Sequence, residues 1–113
     1  MAKLPKMVKV GPYKYSIVTD RTKCRNASKK KDKYLWGETS PVYQTIYLNP
    51  DQGADSKADT LLHELLHAVW YHQGMREHKI ESEEQIVATL APGILDVLRR
   101  NPKIVEYLVN GES

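Results

Sequence analysis

The chain reads as an α+β domain, with its strands grouped in the first half and its helices in the second. Up to about residue 50, short runs of β-branched and aromatic residues alternate with polar ones, and turn residues separate the runs. From about residue 55 onward, apolar residues recur three and four apart, and Gly or Pro punctuates the segments. Runs of strands followed by runs of helices define the α+β class.

The strands open the chain. Met7 to Val10 and Tyr13 to Thr19 flank Gly11-Pro12, a turn dipeptide, and predict a β-hairpin with Tyr13, Tyr15, Ile17 and Thr19 on one side. Asp20 to Lys33 is too polar to offer a buried helical stripe and is expected to be a long loop. A second hairpin is expected from Tyr34 to Glu38 and Val42 to Leu48, with Thr39-Ser40-Pro41 between them. In it Tyr43, Thr45 and Tyr47 alternate against Val42, Ile46 and Leu48, and Asn49-Pro50-Asp51 ends the strand.

Three helices follow. The first runs from Asp55 or Ser56 to His72, with Gly74 as its stop. At about 100° per residue, Leu61, Leu62, Leu65, Leu66 and Val69 share one arc, while His63 and His67 project from the opposite side. The second, from about Ser82 to Arg99, has its apolar face in Ile86, Val87, Leu90, Ile94, Val97 and Leu98, and Pro92 is expected to kink it near Thr89. Asn101 caps a short final helix from Pro102 to Val109, which Gly111 ends.

At 113 residues the chain suits a single domain, 1–113, able to bury one core. No apolar run approaches the ~20 residues of a membrane span, and Met1 to Val10 lacks the apolar stretch of a secretory signal. One cysteine, Cys24, excludes an internal disulfide and fits a reducing compartment, so a cytoplasmic location is expected. The net charge of +3 comes largely from the Lys29-Lys30-Lys31-Asp32-Lys33 run, with Arg21, Lys23 and Arg25 upstream. A solvated loop accounts for this run better than a nucleic-acid contact.

His63-Glu64-Leu65-Leu66-His67 carries the chemistry. Residues four apart on a helix lie one above the other, so both imidazoles can reach a single metal ion. Imidazole suits Zn²⁺, and Glu64 falls beside the place of a metal-bound water, where a carboxylate can act as general base. Catalytic zinc usually takes three protein ligands, so a third is needed. His72 lies about 140° round the helix from His67 and is expected to be an exposed polar residue. The metzincin extension is absent, since Trp70 and Gln73 occupy its Gly and His positions. His78 is a lone histidine after the helix stop. Glu81, Glu83 and Glu84 begin the next helix, where acidic residues favour the helix dipole on general grounds. Glu83, however, falls in the middle of the apolar arc of Ile86, Val87, Leu90 and Ile94. A carboxylate on a buried face needs a positive partner. Glu83 is therefore the expected third ligand, with Glu84, on the rim of the arc, in reserve.

His-Glu-Leu-Leu-His-Ala on one helix, followed by Glu-Glu-Gln-Ile-Val-Ala at the start of the next, resembles the gluzincin metallopeptidases. The likeness is to their small single-domain forms, ImmA/IrrE-like or phage- and prophage-encoded, and spans roughly Thr45 to Leu108. Leu90 to Pro102 is similar to a stretch of the small phage proteins. No Ala-Asn pair follows the glutamates as it does in the ImmA/IrrE pattern.

The resemblance implies a zincin-like fold: a small curved antiparallel sheet packed on the motif helix, with a glutamate-bearing helix alongside. It implies His63, His67 and a downstream glutamate as Zn²⁺ ligands, Glu64 as general base, and host cytoplasm as location if the protein is phage-encoded. The expected activity is zinc-dependent peptide hydrolysis, with Tyr71 or His78 available as a second donor. The expected substrate is a protein or peptide bound along Gln44 to Leu48 by strand addition. Two alternatives stand beside this reading. One is a zinc-containing phage or prophage regulator that does not cleave. The other is a nucleic-acid or partner-binding module using Arg21 to Lys33, which lacks any recognisable nucleic-acid-binding signature.

Overall fold

A computed structural model of the chain describes residues 3–27, 36–73 and 83–111, without the side chains of 25–27, 83–85 and 87–89. Its elements are β1 (Met7–Val10), β2 (Tyr13–Thr19), α1 (Arg21–Ala27), β3 (Gly37–Ser40), β4 (Thr45–Leu48), α2 (Ala54–His72), α3 (Glu83–Arg100) and α4 (Pro102–Asn110). The class is α+β, and among the described residues no helix is long and apolar enough to cross a membrane. The basic run from Lys29 to Lys33 lies outside the described residues.

Both hairpins form. β1 pairs antiparallel with β2, Val8 against Tyr15, and β3 pairs antiparallel with β4, Thr39 against Ile46. The expectation of an antiparallel sheet throughout is corrected where the hairpins meet. β2 and β4 run parallel, Ser16 against Thr45 through Thr19 against Leu48, in the order β1-β2-β4-β3. Parallel neighbours need a long crossover, and residues 20–44, with α1 and β3 among them, supply it. Alternation within each strand says which residues face the core but not in which sense two hairpins join.

The second turn lies further along than expected. Thr39 and Ser40 belong to β3, and Pro41, with no N–H to continue the ladder, begins the turn that Gln44 closes at φ 46°. Val42 and Tyr43, read as strand, stand at the tip, 80% and 77% exposed.

Asp20 to Lys33 is likewise corrected, because Arg21–Ala27 is a helix. The Lys23 N–H donates to Asp20 Oδ1 at 2.9 Å, a side-chain cap, and Cys24 is wholly buried. Seven residues with one buried position among the described side chains display no periodic stripe, which is why the sequence pattern conceals this helix.

One face of the sheet holds the core. Val8, Val10, Tyr15, Ile17, Ile46 and Leu48 pack against Leu61, Leu65, Ala68 and Val69 of α2, with Val97, Ile104 and Tyr107 behind them. Leu62, placed in the apolar arc of α2 by phase, is 41% exposed. α3 continues through Pro92. At Gly93 a Cβ would collide with Val69 Cγ1, so glycine sets how closely α3 can approach α2. Asn101 precedes α4, but its side chain does not cap the helix. It is buried and hydrogen-bonds to both backbone groups of Lys9 and to the Val97 carbonyl.

Candidate metal centre

α2 has no internal Gly or Pro, so its four-residue spacing holds through the motif. His63 and His67 are exposed, and their Nε2 atoms lie 3.1 Å apart, with the rings edge to face. When one Nε2 carries a proton this contact is a hydrogen bond; with both unprotonated it presents two lone pairs to one cation. Two nitrogens at ~2.0–2.1 Å from a tetrahedral zinc are separated by roughly 3.3 Å. The pair therefore fits a shared ion almost as it stands, and one ligand atom from each of His63, Glu64 and His67 lies within 4.8 Å of the others.

Glu64, one step round the helix, is only 6% exposed. It faces β3, where the Thr39 hydroxyl donates to its Oε1 at 2.7 Å and lies 3.0 Å from its carbonyl oxygen. β3 can come this close because residue 37 is glycine. A Cβ there would stand 2.6 Å from Thr60 Cγ2, 3.0 Å from Glu64 Cγ and 3.1 Å from the Tyr47 carbonyl oxygen. Thr39 and Gly37 are the site residues that sequence reasoning passed over. A glycine inside a strand segment was the available signal for a close approach.

These groups line a cleft of about 480 Å³ whose other walls are Glu38, Pro41, Trp70 and Tyr71. A second recess of about 360 Å³ opens beyond the histidines, between Leu66, Trp70 and Leu90. Tyr71 is thus at the cleft, as its expectation as a donor requires.

His72 differs from its expectation as an exposed residue. It is half-buried, stacked on Tyr13 at 4.0 Å between centroids, with Nε2 2.6 Å from the Tyr15 hydroxyl. Burial lowers its pKa. Burial, then the neighbouring Tyr71 and Tyr13, pushes the Tyr15 phenol up to about 12. His72 belongs to this aromatic cluster and is not in the His63-Glu64-His67 group.

His78 and Glu81 lie outside the described residues, as do the side chains of Glu83 and Glu84, although α3 begins at Glu83. Gln44 to Leu48 is corrected as the peptide-binding strand. Both edges of β4 are taken, by β2 and β3, so among the described residues the strand with an unpaired edge beside the motif is β3. Comparison of the chain with protein-family models, with curated proteins and with solved structures finds no match.

Proposed function

We propose that the chain is a zinc-dependent peptidase of gluzincin type, with His63 and His67 as ligands and Glu64 as general base. The observation that carries this reading is the buried Glu64 carboxylate, held by Thr39 beside two converging imidazole nitrogens. The chemistry that bound Zn²⁺ would supply is Lewis acidity, acidifying a water towards a pKa of ~7 and polarising a carbonyl.

The chain's own residues do the rest. With Oε1 engaged by Thr39, Oε2 of Glu64 is the oxygen that takes the proton from the attacking water and returns it to the leaving amine. An extended substrate pairs with the edge of β3 that no described strand occupies and lies across the cleft. The third ligand is Glu83, with Glu84 in reserve. Position 83 precedes Leu90 by seven residues and so shares its helical phase to within about 20°. Leu90 lines the recess beside both histidines, which favours position 83.

The test is metal analysis together with Glu64→Gln. Protein purified without added metal should hold about one zinc per chain, and Glu64→Gln should retain it while losing hydrolysis of a peptide library. A metal-free protein whose stability zinc leaves unchanged would refute the metal site. Full activity in Glu64→Gln would refute the mechanism.

A further inference from the structure

A concavity of about 770 Å³ shares no residue with the cleft at the histidines. It lies between the N-terminal segment and the start of α4. Lys3, Lys6, Arg100 and Lys103 surround it, against the single carboxylate of Glu106. Arg100 is paired with Asp96, whereas Lys3, Lys6 and Lys103 have no ion pair among the described residues.

β1, at one side of this groove, is an edge strand. The Lys6 carbonyl accepts the Ile17 N–H, so Lys6 turns its carbonyl towards β2. Lys9 turns the other way. Its N–H donates to Asn101 Oδ1 and its carbonyl accepts from Asn101 Nδ2, both at 2.8 Å. That is the two-point pairing a residue of a neighbouring strand would make. By strand alternation Met7 presents its N–H and carbonyl along the same edge, and Met7 lines the groove.

We infer that this groove docks an extended acidic segment of a partner protein, which pairs with the β1 edge at Met7 and sets its carboxylates against Lys3, Lys6 and Lys103. Asn101 closes the edge on one side, and Pro5, lacking an N–H, limits it on the other. Charge therefore carries much of the affinity, and strand pairing carries the orientation. Leu4 and Ile104 offer an apolar floor to alternate side chains, and no aromatic ring lines the groove for base stacking, which favours peptide over nucleic acid. A second copy of this chain would bring the same positive lining, Lys3, Lys6 and Lys103, against itself. The inference is independent of the metal site.

The test uses the full chain, ¹⁵N-labelled, and an acetylated, amidated octapeptide alternating Glu and Val. Binding is expected with a Kd below about 100 μM at low salt, with movement of the Met7 and Lys103 amide signals. Lys6→Glu with Lys103→Glu should weaken it about tenfold, as should N-methylation of alternate peptide amides. These lysines are exposed, so the fold should survive; Lys3→Glu with Lys6→Glu is an independent second pair. The inference is overturned by absence of binding at about 1 mM, or by affinity indifferent to the charge reversals or to N-methylation. Equal binding of a Lys-Val octapeptide, tighter binding of oligothymidylate, or a dimer formed through β1 without peptide would also overturn it.

Discussion

Gly37→Ala inserts one methyl group where β3 crosses α2, and the structure says what it would meet. The new Cβ would stand 2.6 Å from Thr60 Cγ2, about 0.8 Å inside the onset of ordinary van der Waals contact. Thr60 is β-branched, helical and buried, so its χ1 has little room to turn. The second and third neighbours, Glu64 Cγ at 3.0 Å and the Tyr47 carbonyl oxygen at 3.1 Å, leave no easy direction for β3 to retreat. Overpacking of this kind costs about 1–3 kcal/mol. The loss should therefore approach 2 kcal/mol in urea denaturation, with the midpoint falling and the slope unchanged. Thr60→Ser removes the obstructing methyl while keeping the hydroxyl that donates to Gln52 Oε1 at 2.9 Å. Alone it should cost about 1 kcal/mol for the lost methyl. Combined with Gly37→Ala it should recover at least ~1 kcal/mol of the glycine penalty, a coupling expected of residues in direct contact. A Gly37→Ala protein within ~0.5 kcal/mol of the parent, or additive effects in the double variant, would refute this account of how the strand reaches Glu64.

Two further outcomes are expected. Thr39→Val should lower kcat of peptide hydrolysis about tenfold or more, since a hydrogen bond to a charged acceptor is worth ~1.5–3 kcal/mol, while zinc content and KM stay near the parent values. Thr39→Ser should restore turnover, and a Ser variant as impaired as Val would contradict the positioning role of the hydroxyl. For pH, His72 has its folded pKa depressed below 6.5 by burial, and that stabilisation is present above 6.5 and lost as pH falls. Tyr15 has its folded value raised from 10.0 to about 12, so its contribution is lost as pH rises through that interval. Stability measured by urea midpoints should be flat between about pH 7 and 9 and fall on both sides, the alkaline fall beginning with the Cys24 thiol, whose value burial raises from 9.0 to about 11. His72→Gln should flatten the acid limb, and Tyr15→Phe should make the alkaline limb shallower, leaving the part due to Cys24.

Much of this molecule is written locally. Gly11-Pro12 punctuates the first hairpin, and β1 and β2 span the residues their alternation marks out. The 3.6-residue period locates α2, α3 and α4 to within one residue or so, because each buries a stripe long enough to repeat. The pairing of His63, Glu64 and His67 was equally legible, being a property of one helix. What escaped depends on partners far along the chain. Among its described side chains α1 buries only Cys24, and the parallel join of β2 and β4 is a choice between hairpins. Asn101 reads as a helix cap but is spent on Lys9. Thr39 and Gly37 acquire their meaning only from Glu64 and Thr60, which approach through tertiary packing. The edge that could take a substrate strand moved from β4 to β3 for the same reason, since no local pattern says which strand of a sheet is last.

The clasp between Asn101 and Lys9 has a consequence for the order in which the chain can be assembled. Its partners are 92 positions apart, whereas hairpins close over a few residues and form in about 1–10 μs. During synthesis, which runs at about 5–20 residues per second, β1 and β2 are available for seconds before residue 101 exists. Through that interval the outward backbone groups of Lys9 have no Asn101 to meet, and an uncovered strand edge is a template for pairing with another chain. Lys6 and Lys9 meanwhile keep that edge positively charged, a device that discourages edge-to-edge pairing, and the arrival of Asn101 then closes it at Lys9.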